Sequence, residues 1–228
     1  MSTKVGANMD ANKTQTRAGL SRDTILQSAL LVLDERGYDA LTLRMLGKYM
    51  HFSYTAIYRH LPDKAALLDG VTEVLWLKAL DLDALDVLSN DSWQIILEKL
   101  ANRLRNTLLE HPNAVPLVAT HPISTKKELL AVSRILEVLV SRGYEVTDNS
   151  IHLIMNLSVF VIGHVIAESV PPAGGAGGDA KPEILEEAAH TEVFMGRFLN
   201  PLLKSDQYNL GEQFNQGVHA LIYGQPVL

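Results

Sequence analysis

The 228-residue sequence predicts an all-α fold on three observations. Apolar residues recur at three- and four-residue spacing along most of the chain, as one face of a helix requires. No stretch alternates apolar with polar residues as a half-buried strand would. Ser, Thr or Asp stands ahead of most periodic runs, where its side chain can accept a hydrogen bond from the first helical turn. The predicted architecture is a polar, flexible tail (1–20), a three-helix helix-turn-helix domain (21–67) and a larger helical domain (68–228).

Each element has its own signal. Ser21 caps a helix that turns Ile25, Leu26, Ala29, Leu30 and Leu33 inward and ends at Gly37. Thr42 caps a short second helix carrying Leu43, Leu46 and Tyr49. After a break at His51-Phe52, Ser53 caps a third helix to about His60, closed by Leu61-Pro62-Asp63. Longer helices follow, the first from Lys64 to Leu80 or beyond. Asp91 or Ser92 opens one ending at Glu110, a short piece runs from 114 to 119, and another from 124 to 142 stops at Gly143. Thr147 or Asp148 starts an apolar helix reaching Ser169. The Pro/Gly run at 171–178 reads as a flexible loop, followed by helices over 183–203 and 210–223.

Composition excludes several functions. With no cysteine, the chain has no disulfide framework, thiolate metal site or cysteine nucleophile. It carries no His-Glu-x-x-His, nucleophile elbow or acidic cluster at metal spacing, so no catalytic residue, metal or cofactor is expected. The Gly-rich run lacks the Gly-Lys-Ser/Thr of a phosphate cradle. The N-terminus has no apolar core of a secretory signal. The apolar stretch at 151–167 reaches the lower edge of spanning length, but His152, Asn156 and His164 interrupt it and Glu168 follows. Such groups are costly in lipid, so a cytoplasmic protein without a membrane span is expected.

The formal charge of −6 argues, taken whole, against nucleic acid. It is unevenly divided. Residues 1–70 hold nine Lys/Arg and seven Asp/Glu, net +2, whereas 71–228 hold eleven and nineteen, net −8. A mildly basic head on an acidic body can meet phosphate at one end only.

Within the head, the third helix must present its first residues to a major groove about 12 Å wide. Ser53, Tyr54, Thr55 and Ala56 suit that: a cap, two hydrogen-bonding side chains, and a small residue permitting close approach. Ile57 points to the core. Tyr58, Arg59, His60 and Lys64 supply donors to phosphate, Thr42 opens the preceding helix, and Arg44 is long enough to reach a guanine edge or, alternatively, a phosphate. The basic tail could enter a minor groove or stay disordered.

Thr42-Leu43-Arg44-Met45-Leu46-Gly47, Phe52-Ser53, and Ala56-Ile57-Tyr58-Arg59-His60-Leu61 with Lys64 resemble the signature of the tetracycline-repressor (TetR) family. The resemblance continues at Ser92-Trp93-Gln94, His111 and Ala119-Thr120-His121-Pro122, which is similar to the tetracycline-repressor branch. It implies a homodimer that binds a double-stranded DNA operator and is released by a small-molecule effector held in the C-terminal domain. Arg44 then falls on a base-contacting position, and Tyr58, His60 and Lys64 on phosphate-contacting ones. Two positions depart: His51 stands where glycine makes the turn, and Ala56 where threonine is common.

By the same resemblance, the polar positions that hold a magnesium–drug complex fall on Leu80, Leu100 and Leu117, and an aromatic one on Leu104. Leucine cannot ligate a hard cation, so tetracycline–magnesium recognition is not expected. A leucine-lined cavity with Trp76, Val118 and Met155 suits an apolar effector, with Thr120, Asn156 and His164 as orienting groups. The alternative is plain core with no cavity, and for His152 and His164 a buried or dimer-contact role. The dimer seam is expected on the 147–169 helix, with Gly163 allowing close approach, and on the final helix at Phe214, Val218, Leu221 and Ile222. A second functional reading is a small-molecule sensing or interaction module whose head does not repress.

Overall fold

The computed structural model describes residues 19–148, 150–169, 182–204 and 210–224. The tail and the 171–178 run, read above as flexible, lie outside the described residues. Those described form eleven α-helices, two short 3₁₀ turns and no strand.

Side-chain caps set the first three starts. Helix α1 (Arg22–Arg36) opens on Ser21, whose hydroxyl accepts from the Thr24 amide while Thr24 accepts from the Ser21 amide. A 3₁₀ turn (Tyr38–Ala40) leads to α2 (Leu43–Met50), capped by Thr42 on the Met45 amide. His51 then takes a left-handed conformation, φ 60° and ψ 32°, which His adopts at less cost than a branched residue. Helix α3 (Tyr54–Tyr58), capped by Ser53, ends two residues earlier than expected. Ile25, Leu26, Leu33, Leu41, Leu46, Ile57 and Leu61 are fully buried between these helices.

Helix α4 (Lys64–Ala79) opens on Asp63 and belongs to both halves of the molecule. It packs on α1 and also meets α5 (Trp93–Glu110), α6 (Val115–Thr120) and α7 (Lys126–Ser141). Ser92 caps α5; Thr125 and Glu128 form a reciprocal capping box on α7, where the buried Glu128 carboxylate accepts from two backbone amides at 2.8 and 2.9 Å. Helix α8 (Ser150–Ser169) packs on α5, burying Leu153, Leu157, Val161 and Val165, and α11 (Leu210–Tyr223) lies across both. Helix α8 is long and apolar enough to cross a bilayer, but four of its residues belong to the same core as α5, and its Glu168 is chelated by Arg105 of α5 through contacts of 2.6 and 3.0 Å.

Two expectations are corrected. The helix expected over 183–203 is two, α9 (Pro182–Thr191) and α10 (Val193–Lys204). The backbone folds back at Glu192 so tightly that a Cβ on Gly196 would meet the Ala189 carbonyl oxygen at 2.5 Å, and only glycine allows that approach. The second concerns the last helix. Phe214, Val218 and Ile222 are buried within the protomer, with Phe214 stacked on Phe160. Gly217 lets α11 close onto the Phe160 ring, where a Cβ would collide. That side of α11 is therefore core and cannot face a second copy.

Candidate nucleic-acid interface and effector cavity

The eight residues expected to meet DNA are all exposed: Thr42 and Arg44 on α2 and its cap, Ser53, Tyr54, Thr55, Tyr58 and His60 on and around α3, and Lys64 at the first turn of α4. The hydroxyls of Thr42 and Ser53 are engaged as caps, so their task in the free protein is to hold the helix starts. Tyr54 and Tyr58 lie with ring centroids 5.0 Å apart. Desolvation, then the neighbouring Tyr58 hydroxyl, raises the Tyr54 phenol above its ordinary value, so it stays protonated and can donate. The Lys64 ammonium sits 4.8 Å from the centre of the Tyr38 ring, a cation–π contact that steadies an otherwise free side chain. Sequence reasoning overlooked Tyr38, and also Lys48, an exposed cation one turn on from Arg44; its i, i+4 spacing was the available signal.

The body encloses an apolar cavity of about 100 Å³ between α4, α5, α7 and α8. Leu80, Leu100 and Leu104 line it, together with Trp76, Leu97 and Leu157. The other four expected ligand residues are not in its wall, which corrects the expectation that they orient a ligand there. Leu117 is buried elsewhere in the core. Thr120 is exposed, its hydroxyl donating to the Pro116 and Leu117 carbonyls of its own helix. Asn156 lies on the outer side of α8, because the inward positions of that helix are Leu153, Leu157 and Val161. His164 is nearly buried with Phe160 and Phe214 around it, 3.6 Å from Glu168, and neither ring nitrogen has a hydrogen-bond partner. Val118 and Met155 are likewise outside the wall; Met155 is exposed. Helical periodicity identified α8 as amphipathic in part but could not say which polar residue faces inward.

Between head and body runs a polar seam. Asn113 donates from Nδ2 to the Leu33 and Asp34 carbonyls, both at 3.1 Å, closing the last turn of α1. His111 contacts the Asp34 carboxylate through Nδ1 at 2.8 Å. At the other end of α1, Arg22 meets the buried Glu73 of α4 at 2.8 Å, and Lys127 of α7 reaches the same carboxylate at 3.5 Å. None of these polar ties was legible beforehand, since each joins residues more than fifty positions apart.

A capped three-helix head with an exposed set of hydrogen-bonding and cationic side chains, set on a helical body with an apolar cavity, defines the class: a DNA-binding regulator with a ligand-binding domain. The comparisons with known proteins agree. Residues 25–71 match the family of bacterial regulatory proteins, tetR family, and residues 88–225 match the tetracyclin repressor-like C-terminal domain. The class E tetracycline repressor protein of Escherichia coli is 28% identical over 212 residues, covering 90% of this chain and 97% of that one. A Streptomyces coelicolor structure described as a possible TetR family transcriptional regulator is 27% identical, with a TM-score of 0.68 over 90% of this chain and 98% of that one. The fold is also that of ActR from the same organism in complex with (S)-DNPA, at a TM-score of 0.73, 21% identity, and 91% and 97% coverage. The chain belongs to the TetR family, whose members are transcription regulators and not enzymes.

Proposed function

We propose that the protein is a homodimeric repressor that binds a palindromic double-stranded DNA operator and is released by a small, mostly apolar effector. One observation carries this reading: α4 begins with Lys64 beside the exposed head residues and carries Trp76 in the cavity wall, with its C-cap Leu80. A ligand that prefers one position of α4 therefore acts on the head through a single rigid helix, and it acts only by its differential affinity for the two positions. The domain division at 21–67 and 68–228 falls inside this helix, which serves as the lever between them.

In the operator complex, Arg44, Tyr54 and Thr55 would face base edges, while Thr42, Ser53, Tyr58, His60 and Lys64 hold the backbone. Two heads enter successive major grooves about 34 Å apart, so a change in their separation ends binding. The second copy packs on α8, whose outer stripe of Ile151, Met155, Val159 and Ile166 is apolar and exposed, with Gly163 between them leaving room for close approach. On α11 only the outward side, with His219 and Tyr223, is available to the partner. Val193, Phe194 and Phe198 on α10, which sequence reasoning did not single out, are a further set of exposed apolar side chains. Leu80, Leu100 and Leu104 hold the effector's apolar body, with no metal and no cofactor, and the dimer works in the cytoplasm.

The test is binding to a library of palindromic fragments. Arg44→Ala is expected to relax preference at one base pair per half-site by about 1–3 kcal/mol. A wild-type chain that binds no palindrome, while still taking up apolar ligands, would favour a sensing module without repressor activity.

A further inference from the structure

Resting on the reading of the apolar cavity as the effector site, we propose that the effector is an amphiphile with an acidic end. Its hydrocarbon part fills the leucine cavity, and its carboxylate reaches past Leu80 to Arg134 in an outer pocket. Two neighbouring spaces carry this. The inner one, about 100 Å³, is walled almost wholly by aliphatic side chains. The outer one, about 150 Å³, lies between the end of α4, Asp81 and, on α7, Ala131 and Arg134. Leu80, the half-buried C-cap of α4, lines both. On α7 the two linings are adjacent stripes: Val132 and Ile135 border the inner space, and Ala131 and Arg134, each one residue earlier, the outer. At Leu80 the two spaces are no further apart than one residue.

Size and charge say what spans them. The inner cavity is below the roughly 300 Å³ of an ordinary ligand pocket, so an effector of common size needs the space beyond Leu80. The inner wall suits hydrocarbon: its Ser158 hydroxyl is spent on the Ile154 carbonyl at 2.9 Å, and the Trp76 indole nitrogen is itself buried. The outer pocket holds one acidic and one basic side chain. The Asp81 carboxylate accepts from the Asp83 amide at 3.1 Å and lies 4.0 Å from Arg103, so its charge is partly met. Arg134 is exposed and makes no hydrogen bond or ion pair among the described residues. A guanidinium fork matches a carboxylate, so the unanswered charge of this pocket selects an acidic end. Because Leu80 closes α4, a ligand lodged on both sides of it bears directly on the helix that leads to the head.

The experiment uses the full chain with octanoate and octanol, which share a hydrocarbon chain and differ at the polar end, titrated by calorimetry. Arg134→Gln is expected to weaken octanoate by about three- to fivefold, as for an ion pair open to solvent, and to leave octanol unchanged, which also shows the variant folded. Arg134→Glu should weaken octanoate further and strengthen octylammonium. Leu80→Ala should speed the association of octanol, since a smaller residue then stands between the two spaces. Octanoate and octanol affinities that both ignore Arg134→Gln, or octanol binding without octanoate, would overturn the acidic end and leave the cavity reading standing. Unchanged association in Leu80→Ala would overturn the passage at Leu80. If neither probe binds the wild type, the cavity reading fails and the proposal with it.

Discussion

Lys64→Ala separates a phosphate contact from a structural one. The side chain is exposed, and its recorded contact is with the face of Tyr38, so its loss costs the fold only about 0.5–1 kcal/mol. The effect on DNA is larger and has a distinct signature. Each phosphate neutralised releases counterions, contributing about −0.9 to the slope of log affinity against log salt; two copies per operator give about −1.8. Raising salt fourfold, from about 50 to about 200 mM, should then shrink the wild-type advantage over the variant by roughly twelvefold. The assay is fluorescence anisotropy with an operator fragment across a salt series, run well below either melting temperature. Parallel salt slopes for the two proteins would refute the phosphate role, whatever the difference in affinity at one salt concentration.

Two further outcomes follow from the seam between head and body. Asn113→Ala removes two hydrogen bonds to the end of α1, which should cost about 1–3 kcal/mol by thermal melting and weaken operator binding at temperatures where the variant is folded; unchanged affinity there would mean that the seam does not hold the head in register. Burial pushes the Glu73 carboxyl up, but the hydrogen bonds from Arg22 and Thr125 and the charges of Arg22 and Lys127 outweigh it and leave it below its ordinary value. The ion pair thus stabilises the fold above the ordinary carboxylate range, and that contribution is lost as pH falls through the lowered value. Glu73→Gln should therefore melt below wild type near neutral pH and approach it on acidification; a gap that stays constant with pH would contradict this.

The head was almost wholly legible beforehand because its signals are local. Ser21, Thr42 and Ser53 act within three residues of themselves, and the positive φ at His51 follows from a short turn between two short helices. In the body, Leu80, Leu100 and Leu104, singled out by the family resemblance and not by periodicity, line the cavity. Asn156 and His164 failed as cavity residues for a common reason. A helix that is apolar over most of its circumference, as α8 is, offers several directions inward, and sequence periodicity does not choose among them.

By itself, then, the sequence determined where most helices start, that the head is basic and the body acidic, and that the interior is leucine-rich. These follow from forces acting over a few residues or from composition alone. Only the tertiary structure decided which face of each helix is core. It turned Phe214 and Val218 inward onto α8, left the Ile151–Val159 stripe outside, and broke the 183–203 helix at Glu192. It also placed Trp76 in the cavity wall. Those outcomes depend on packing between segments far apart in the chain, where burial of apolar area is non-directional and the partner's shape settles the arrangement.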